Sequence, residues 1–396
     1  MLGFPSLLGL TGLWLCACAP TNRPEPPSLG SPPDTLSQPL PPEGAQAPIR
    51  FQFIYMVHGD GGYIYHDAGG LRHAADDDAV AQAVEVARNS PAAEVFIFHQ
   101  KPTAFLGLFH TSDGSLLYYR RGRLVRTWEY DRDPKDLDFA AEASLYRARA
   151  SPPGPLTIRC FAYFGHEIPV TSVIPYSRSR PDAGFVVSTF ARGLRRFGAE
   201  QKPFDLIVLS ACHGGTPAAT LALAPYTAWL LAAPGELHLS YLDTRAFIGL
   251  EGTDSMARTD AGRWGRAVAE ASYSRLLERT STGIALALYD TEKTAAYLEA
   301  HRNAWVTSGV PRQSAESFPD CAGNPAFGDG GNGAGATVWY RPPRFGADKA
   351  RVFRSGWECP VSGKTYGPGI TSSGTGTGLT ASGAAGAGGA APMPLR

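Results

Sequence analysis

The run FDLIVLSACHGG, Phe204–Gly215, decides the fold. It is an apolar β run that ends on a reactive residue, Cys212, and two glycines follow. Thr216 then stands as an N-cap with Pro217 at the first helical position, so a helix start is expected close to the sulfur. A second run of the same kind, LTIRCFAYFGHEIP (Leu156–Pro169), ends on His166. In a parallel α/β sheet the carboxyl ends of strands line one edge, and ligand sites gather in the crevice there. A Cys and a His delivered from neighbouring strand ends can meet.

Outward from these two runs, apolar strands alternate with amphipathic helices from Phe51 onward. That alternation predicts an α/β fold with a mostly parallel central sheet flanked by helices. Strands are expected near 50–57, 94–100, 156–164, 204–211, 228–233 and 283–289, and helices near 77–89, 136–149, 182–198, 217–225, 263–280 and 292–303. The stretch Leu106–Tyr130, with turns at Asp113-Gly114 and Arg121-Gly122, reads as a small antiparallel meander. Residues 306–365 are rich in Gly and aromatic residues and are expected to form a β-rich C-terminal appendage to a domain at 49–305. The last segment, 366–396, is a Gly/Ser/Thr/Ala tail with no core-forming pattern, and 19–48 is a Pro-rich linker that cannot bury enough surface to offset chain entropy.

Composition narrows the function. The 396 residues carry 36 Lys+Arg against 36 Asp+Glu, which argues against a nucleic-acid partner. After residue 20 no apolar run reaches the length of a membrane span; the most apolar stretch, Leu221–Ala233, is interrupted by Pro225. Six cysteines occur without a metal-type CxxC pair. Cys321 and Cys359 are candidate disulfide partners in an exported chain, and Cys160, inside an apolar strand, reads as a small core residue.

The N-terminus, 1–18, reads as a signal peptide: LLGLTGLWL (Leu7–Leu15) is an apolar h-region followed by small residues. Leu15-Cys16-Ala17-Cys18 resembles the bacterial lipobox, with Cys18 as the lipidated residue because Leu15 is too large for the position before Cys16. This implies a lipoprotein anchored in the cell envelope, facing the periplasm or the surface, with plain secretion as the alternative. The membrane would then be met only through the lipid.

Cys212 and His166 form the candidate catalytic pair. Only a thiolate attacks a carbonyl well, an imidazole can take the thiol's proton, and a helix N-terminus favours the anion. Gly214 and Gly215 would let a substrate backbone approach, and main-chain N–H groups beside Cys212 and His166 would hold an oxyanion. His213 adjoins Cys212, but successive strand residues project to opposite sides, which leaves His166 as the base. The bland reading makes Cys212 a buried strand-end residue and His166 an ordinary loop histidine.

His58, Asp60, His66 and Asp67 cluster after the first strand, yet their spacing matches no metal motif, and a Gly-rich loop framing the cleft is the simpler reading, with no metal site. The string HGDGG (His58–Gly62) suggests an esterase oxyanion loop, but no GxSxG elbow supplies a serine. Asp76, Asp77 and Asp78 precede an amphipathic helix and complement its dipole.

The segment Asp205–Tyr241 resembles the clostripain family of cysteine peptidases, which has the caspase-type fold. The resemblance rests on Ala211-Cys212, the helix from Pro217, the strand at Ala228–Ala233 and the Pro234-Gly235 turn leading to Tyr241. It extends to the strand ending in His166 and to TGIALALYDTEKT (Thr282–Thr294), and so covers roughly Phe51–Arg302. Separation and order of His166 and Cys212 agree with the roughly 50 residues between His and Cys in caspases. The resemblance implies an exported cysteine endopeptidase acting on protein or peptide substrates, with Glu167 and Ser210 in the oxyanion and substrate pocket. It requires no cofactor, and Ca²⁺ is compatible with it. Two positions depart from the family: Glu167 stands where Gly usually follows the His, and Ser210 where the Arg-specific members carry Asp. Strong Arg preference is therefore not expected unless another acid, Glu167 or Asp243, reaches the pocket. The alternative implied by Glu167 is a surface lipoprotein that keeps the fold as a binding or assembly module without peptidase activity.

Overall fold

The computed structural model describes residues 48–66, 70–102, 105–106, 109–110, 112–133, 138–170, 174–237, 242–249, 258–302, 335–350, 354 and 356–357. Cys18, Asp67, Cys321, Cys359, residues 19–47 of the linker and the tail lie outside them, and with them the lipidation and disulfide expectations.

The chain opens with β1 (Phe51–His58), a short hairpin of β2 (Ile64–His66) and β3 (Arg72–Ala74), helix α1 (Ala75–Arg88) and β4 (Ala93–Gln100). Then come β5 (Phe105–Leu106), β6 (Phe109–His110), β7 (Gly114–Arg120), β8 (Arg123–Tyr130), α2 (Ala140–Arg147) and β9 (Ile158–Phe164). A second hairpin, β10 (Ile174–Ser177) and β11 (Arg180–Phe185), leads to α3 (Val187–Arg196), β12 (Phe204–Ser210), α4 (Pro217–Leu223) and β13 (Thr227–Ala232). The last elements are α5 (Arg258–Arg279), β14 (Ile284–Asp290), α6 (Thr291–Ala300) and β15 (Ala336–Arg341).

Among the described residues one nine-stranded sheet dominates, in the order β15-β14-β13-β12-β9-β1-β4-β7-β8. The five central strands, β13 to β4, run parallel, and β14, β15, β7 and β8 extend the two sides through antiparallel pairs. Both faces are covered, which is why the central strands read as unbroken apolar runs. On β1 the alternation divides cleanly. Ile54 and Met56 join a core with α2, α3, α4 and α6, while Phe51, Phe53, Tyr55 and Val57 join the core under α1 and α5.

The expected strands and helices are present, with three differences. The meander is continuous with the main sheet, because Gly114 begins a strand paired to β4 rather than a turn. Arg121-Gly122 is the hairpin turn, with φ of 56° and 78°, the pair of left-handed residues that a two-residue connection demands. The segment 182–198, expected to be all helix, starts as β11, and α3 begins only at Val187. The expected appendage contributes β15, paired over six positions from Ile284↔Arg341 to Tyr289↔Ala336, and places Trp357 fully buried against Tyr289 and Tyr297. No helix among the described residues is long and apolar enough to cross a membrane.

Candidate active site

The chain enters the sheet at β1, adds β4 on one side and then returns to add β9 on the other, so the strand order reverses between β1 and β9. Ligands bind in the crevice outside such a reversal. Three strand ends meet there: His58-Gly59-Asp60 after β1, Gly165-His166-Glu167 after β9 and Ala211-Cys212 after β12.

Parallel pairing of β9 and β12 runs from Leu206↔Cys160 to Ser210↔Phe164. It continues one step further, because Gly165 donates its N–H to the Ser210 carbonyl at 3.2 Å. A side chain at Gly165 would collide with the Tyr163 ring and with His58 Cβ, 2.9 Å away, so glycine is needed for this close approach. His166 and Cys212 therefore leave adjacent, bonded strand ends.

His166 is exposed, and its ring lies against Tyr63, centroids 4.4 Å apart and tilted by 54°. This partial cover lowers its pKa and favours neutral imidazole. Cys212 is half-buried. Burial pushes its thiol up; the Leu237 N–H opposes that shift, while the carboxylates of Glu167 and Glu236 reinforce it. The depressed thiol expected beside a helix start is thus not what the surroundings produce. α4 is only seven residues long, and Thr216 spends its hydroxyl on Ala219 N–H at 3.3 Å.

β12 ends at Ser210, and residues 211–215 form a turn in which His213 takes a left-handed φ of 54° and donates its N–H to Gly235 at 2.9 Å. Strand alternation does not apply there, so it does not set the direction of the His213 side chain relative to Cys212. Burial lowers the His213 pKa, while Glu167 and Glu236 pull it upward against Arg354. Burial raises the Glu167 carboxyl, partly offset by His213. Cys212 and His213 thus share the same two acidic neighbours, and Glu236 was not singled out in the sequence.

Other expected site residues have structural partners. Ser210 is fully buried and its hydroxyl accepts the Leu242 N–H at 2.9 Å. Gly215 gives its N–H to the Ala233 carbonyl at 2.9 Å and so is not an oxyanion donor. A Cβ on Gly215 would meet the Tyr289 hydroxyl and the Pro234 backbone at 2.8 Å, and one on Gly214 would press on Ala232 and Leu209 at 3.3 Å. The two glycines admit neighbouring protein atoms, not open space. Asp243 is bound to Arg245 through its side chain at 2.8 Å and lies 4.0 Å from Arg275, which holds its carboxyl low despite burial.

The loop after β1 is also tied down. His58 is buried with Nδ1 3.2 Å from Gln100 Oε1, His66 is exposed, and the Asp60 carboxylate takes the Ser179 N–H at 3.2 Å and the Ser179 hydroxyl. Among the described residues the side chains that could gather round a cation are Asp76, Asp77 and His99, their ligand atoms within 4.8 Å of one another. Asp76 already pairs with His99 Nε2 at 2.9 Å in the first turn of α1, where carboxylates complement the helix dipole.

No protein-family profile and no curated protein matches the chain. Solved structures that it resembles are clostripain-like (C11) cysteine proteases. A secreted C11 protease from Bacteroides thetaiotaomicron in complex with an irreversible peptide inhibitor is 12% identical, the overlap covering 65% of this chain and 70% of that one at a TM-score of 0.44. A second structure of a secreted C11 protease from the same organism, iotapain, gives 12% identity, 65% and 71% coverage and a TM-score of 0.45. An inactive zymogen C11 protease from Parabacteroides distasonis gives 11%, 66%, 68% and 0.42.

Proposed function

We propose that this chain is an exported cysteine endopeptidase with Cys212 as nucleophile and His166 as acid and base, held at the envelope by lipid on Cys18. The observation that carries the reading is the Gly165 to Ser210 bond at 3.2 Å, which fastens the strand ends bearing His166 and Cys212 side by side at the crevice. In the proposed reaction, imidazole takes the thiol proton and sulfur attacks the peptide carbonyl. Main-chain N–H groups of Cys212 and Glu167 steady the oxyanion, and the protonated imidazole hands its proton to the leaving amine. Water then hydrolyses the thioester by the same route. The proposed chemistry needs no cofactor, and turnover measured with and without EDTA tests whether Ca²⁺ is required.

The raised Cys212 thiol, with Glu167 and Glu236 beside it, favours a second reading, a binding module without peptidase activity. A thiol-directed peptidyl probe decides between them. The peptidase reading expects Cys212 to label faster in the folded protein than in a denatured control and Cys212→Ala to lose all turnover. Labelling no faster than the control would reject the peptidase reading and favour the binding module. His166→Ala and His213→Ala run in parallel; loss of turnover only in His213→Ala would move the base to the neighbouring imidazole.

A further inference from the structure

The turn between β10 and β11 is fastened to the crevice unusually firmly. Ser177 is buried; Ser179 gives both its N–H and its hydroxyl to the buried Asp60 carboxylate; Arg180 reaches the buried Asp113 carboxylate and donates to the Arg132 carbonyl at 2.8 Å. Arg132 in turn lies 3.4 Å from Asp113 and 3.9 Å from Asp60. Arg178 shares this anchorage through its backbone alone, its N–H donating to the Asp60 carbonyl at 2.9 Å.

Its side chain is exposed and is aimed. The guanidinium lies over Gly62, with Cδ and Cζ 3.3 Å from where a Cβ of residue 62 would stand, and Gly62 has a left-handed φ of 66°. The next residue is Tyr63, whose ring bears on His166. Among the described residues no carboxylate pairs with Arg178. A cation is thus held on an anchored turn, over the residue that precedes the tyrosine covering the proposed base, while the acidic side chains Glu167 and Glu236 act on Cys212.

We propose that Arg178 is a specificity-determining residue that binds a carboxylate of the substrate, an Asp or Glu side chain or a terminal carboxylate, on the His166 side of the scissile bond. The inference rests on the peptidase reading for the word substrate, but the binding site itself does not require turnover. A planar guanidinium offers a carboxylate two parallel donors, and because the turn is already ordered little freedom is lost on binding.

Peptides differing only by Asp against Asn, or Glu against Gln, at successive positions round the scissile bond are bound to the Cys212→Ala protein, and the same pairs are turned over by the wild type. The expected result is a carboxylate preference of about five- to tenfold at one position, weakening as salt rises. It should be lost in Arg178→Ala, inverted toward Asn and Gln in Arg178→Glu and partly kept in Arg178→Lys, with thermal midpoints matching the wild type. A ratio near one at every position, or a preference that survives Arg178→Ala, would overturn the proposal. Preference in binding with no wild-type turnover would sink the peptidase reading and leave the carboxylate site standing.

Discussion

The hydroxyl of Tyr289 lies between two carbonyls far apart in sequence: it donates to Gly356 and stands 3.4 Å from Gly215. The end of β14 thereby links the turn that carries Cys212 to the segment after β15. We expect Tyr289→Phe to cost about 1 kcal/mol, the net worth of a buried hydrogen bond. Because the turn is loosened as well, alkylation of Cys212 by a peptidyl probe should slow more than alkylation by iodoacetamide. Denaturant melts and the two labelling rates check this; an unchanged ratio would confine Tyr289 to stability.

The Cys212 thiol gives a pH prediction. Burial holds its pKa up, and Glu167 and Glu236 add to that. A raised acid ionises later, so alkylation by iodoacetamide should keep rising above the pH at which an ordinary thiol levels off. Glu167→Gln removes one carboxylate and should move the midpoint to lower pH. A midpoint that does not move would show that Glu167 does not act on the sulfur.

Ser210→Asp tests the pocket of the Arg-specific relatives. Here the position is fully buried and bonded to Leu242 N–H, so a larger, charged carboxylate there must be taken out of water into the core. We expect a loss of about 3 kcal/mol or more in stability and no gain in Arg selectivity. A stable variant that cleaves after Arg would reopen the pocket.

Gly215→Ala should destabilise by about 1–3 kcal/mol, the usual cost of overpacking. The added methyl meets the Pro234 backbone, which cannot turn aside as a side chain would. A thermal midpoint within error of the wild type would show that the turn has room after all.

The sequence disclosed what depends on local pattern. β1, β4, β9, β12, β13 and β14 were readable because strands covered on both faces are unbroken apolar runs between Gly, Pro and polar residues. The hairpin at Ile174–Phe185 was not, since IPYSRSRPDAGF lacks alternation and its turn is held by Asp60, more than a hundred residues earlier. β15 was read as part of an appendage because nothing in ATVWYR names its partner. At the site, the His and Cys strand ends were legible, whereas the surroundings of Cys212 were not. Glu236 arrives from the loop after β13, and the residues that place His213 near Glu167 lie in a turn where strand alternation has ended. The same limit applies to Ser210 and Gly215, whose partners Leu242, Tyr289 and Ala233 come from other segments.

The pairing of β14 with β15 bears on what a nick would do. The two strands are locked together from Ile284↔Arg341 to Tyr289↔Ala336, and the chain between them includes residues 303–334. A cut anywhere in that stretch severs the polypeptide without parting the strands. Denaturing electrophoresis would show a heavy and a light fragment, while gel filtration would return a single particle with Trp357, on the light fragment, still sealed against Tyr289 and Tyr297.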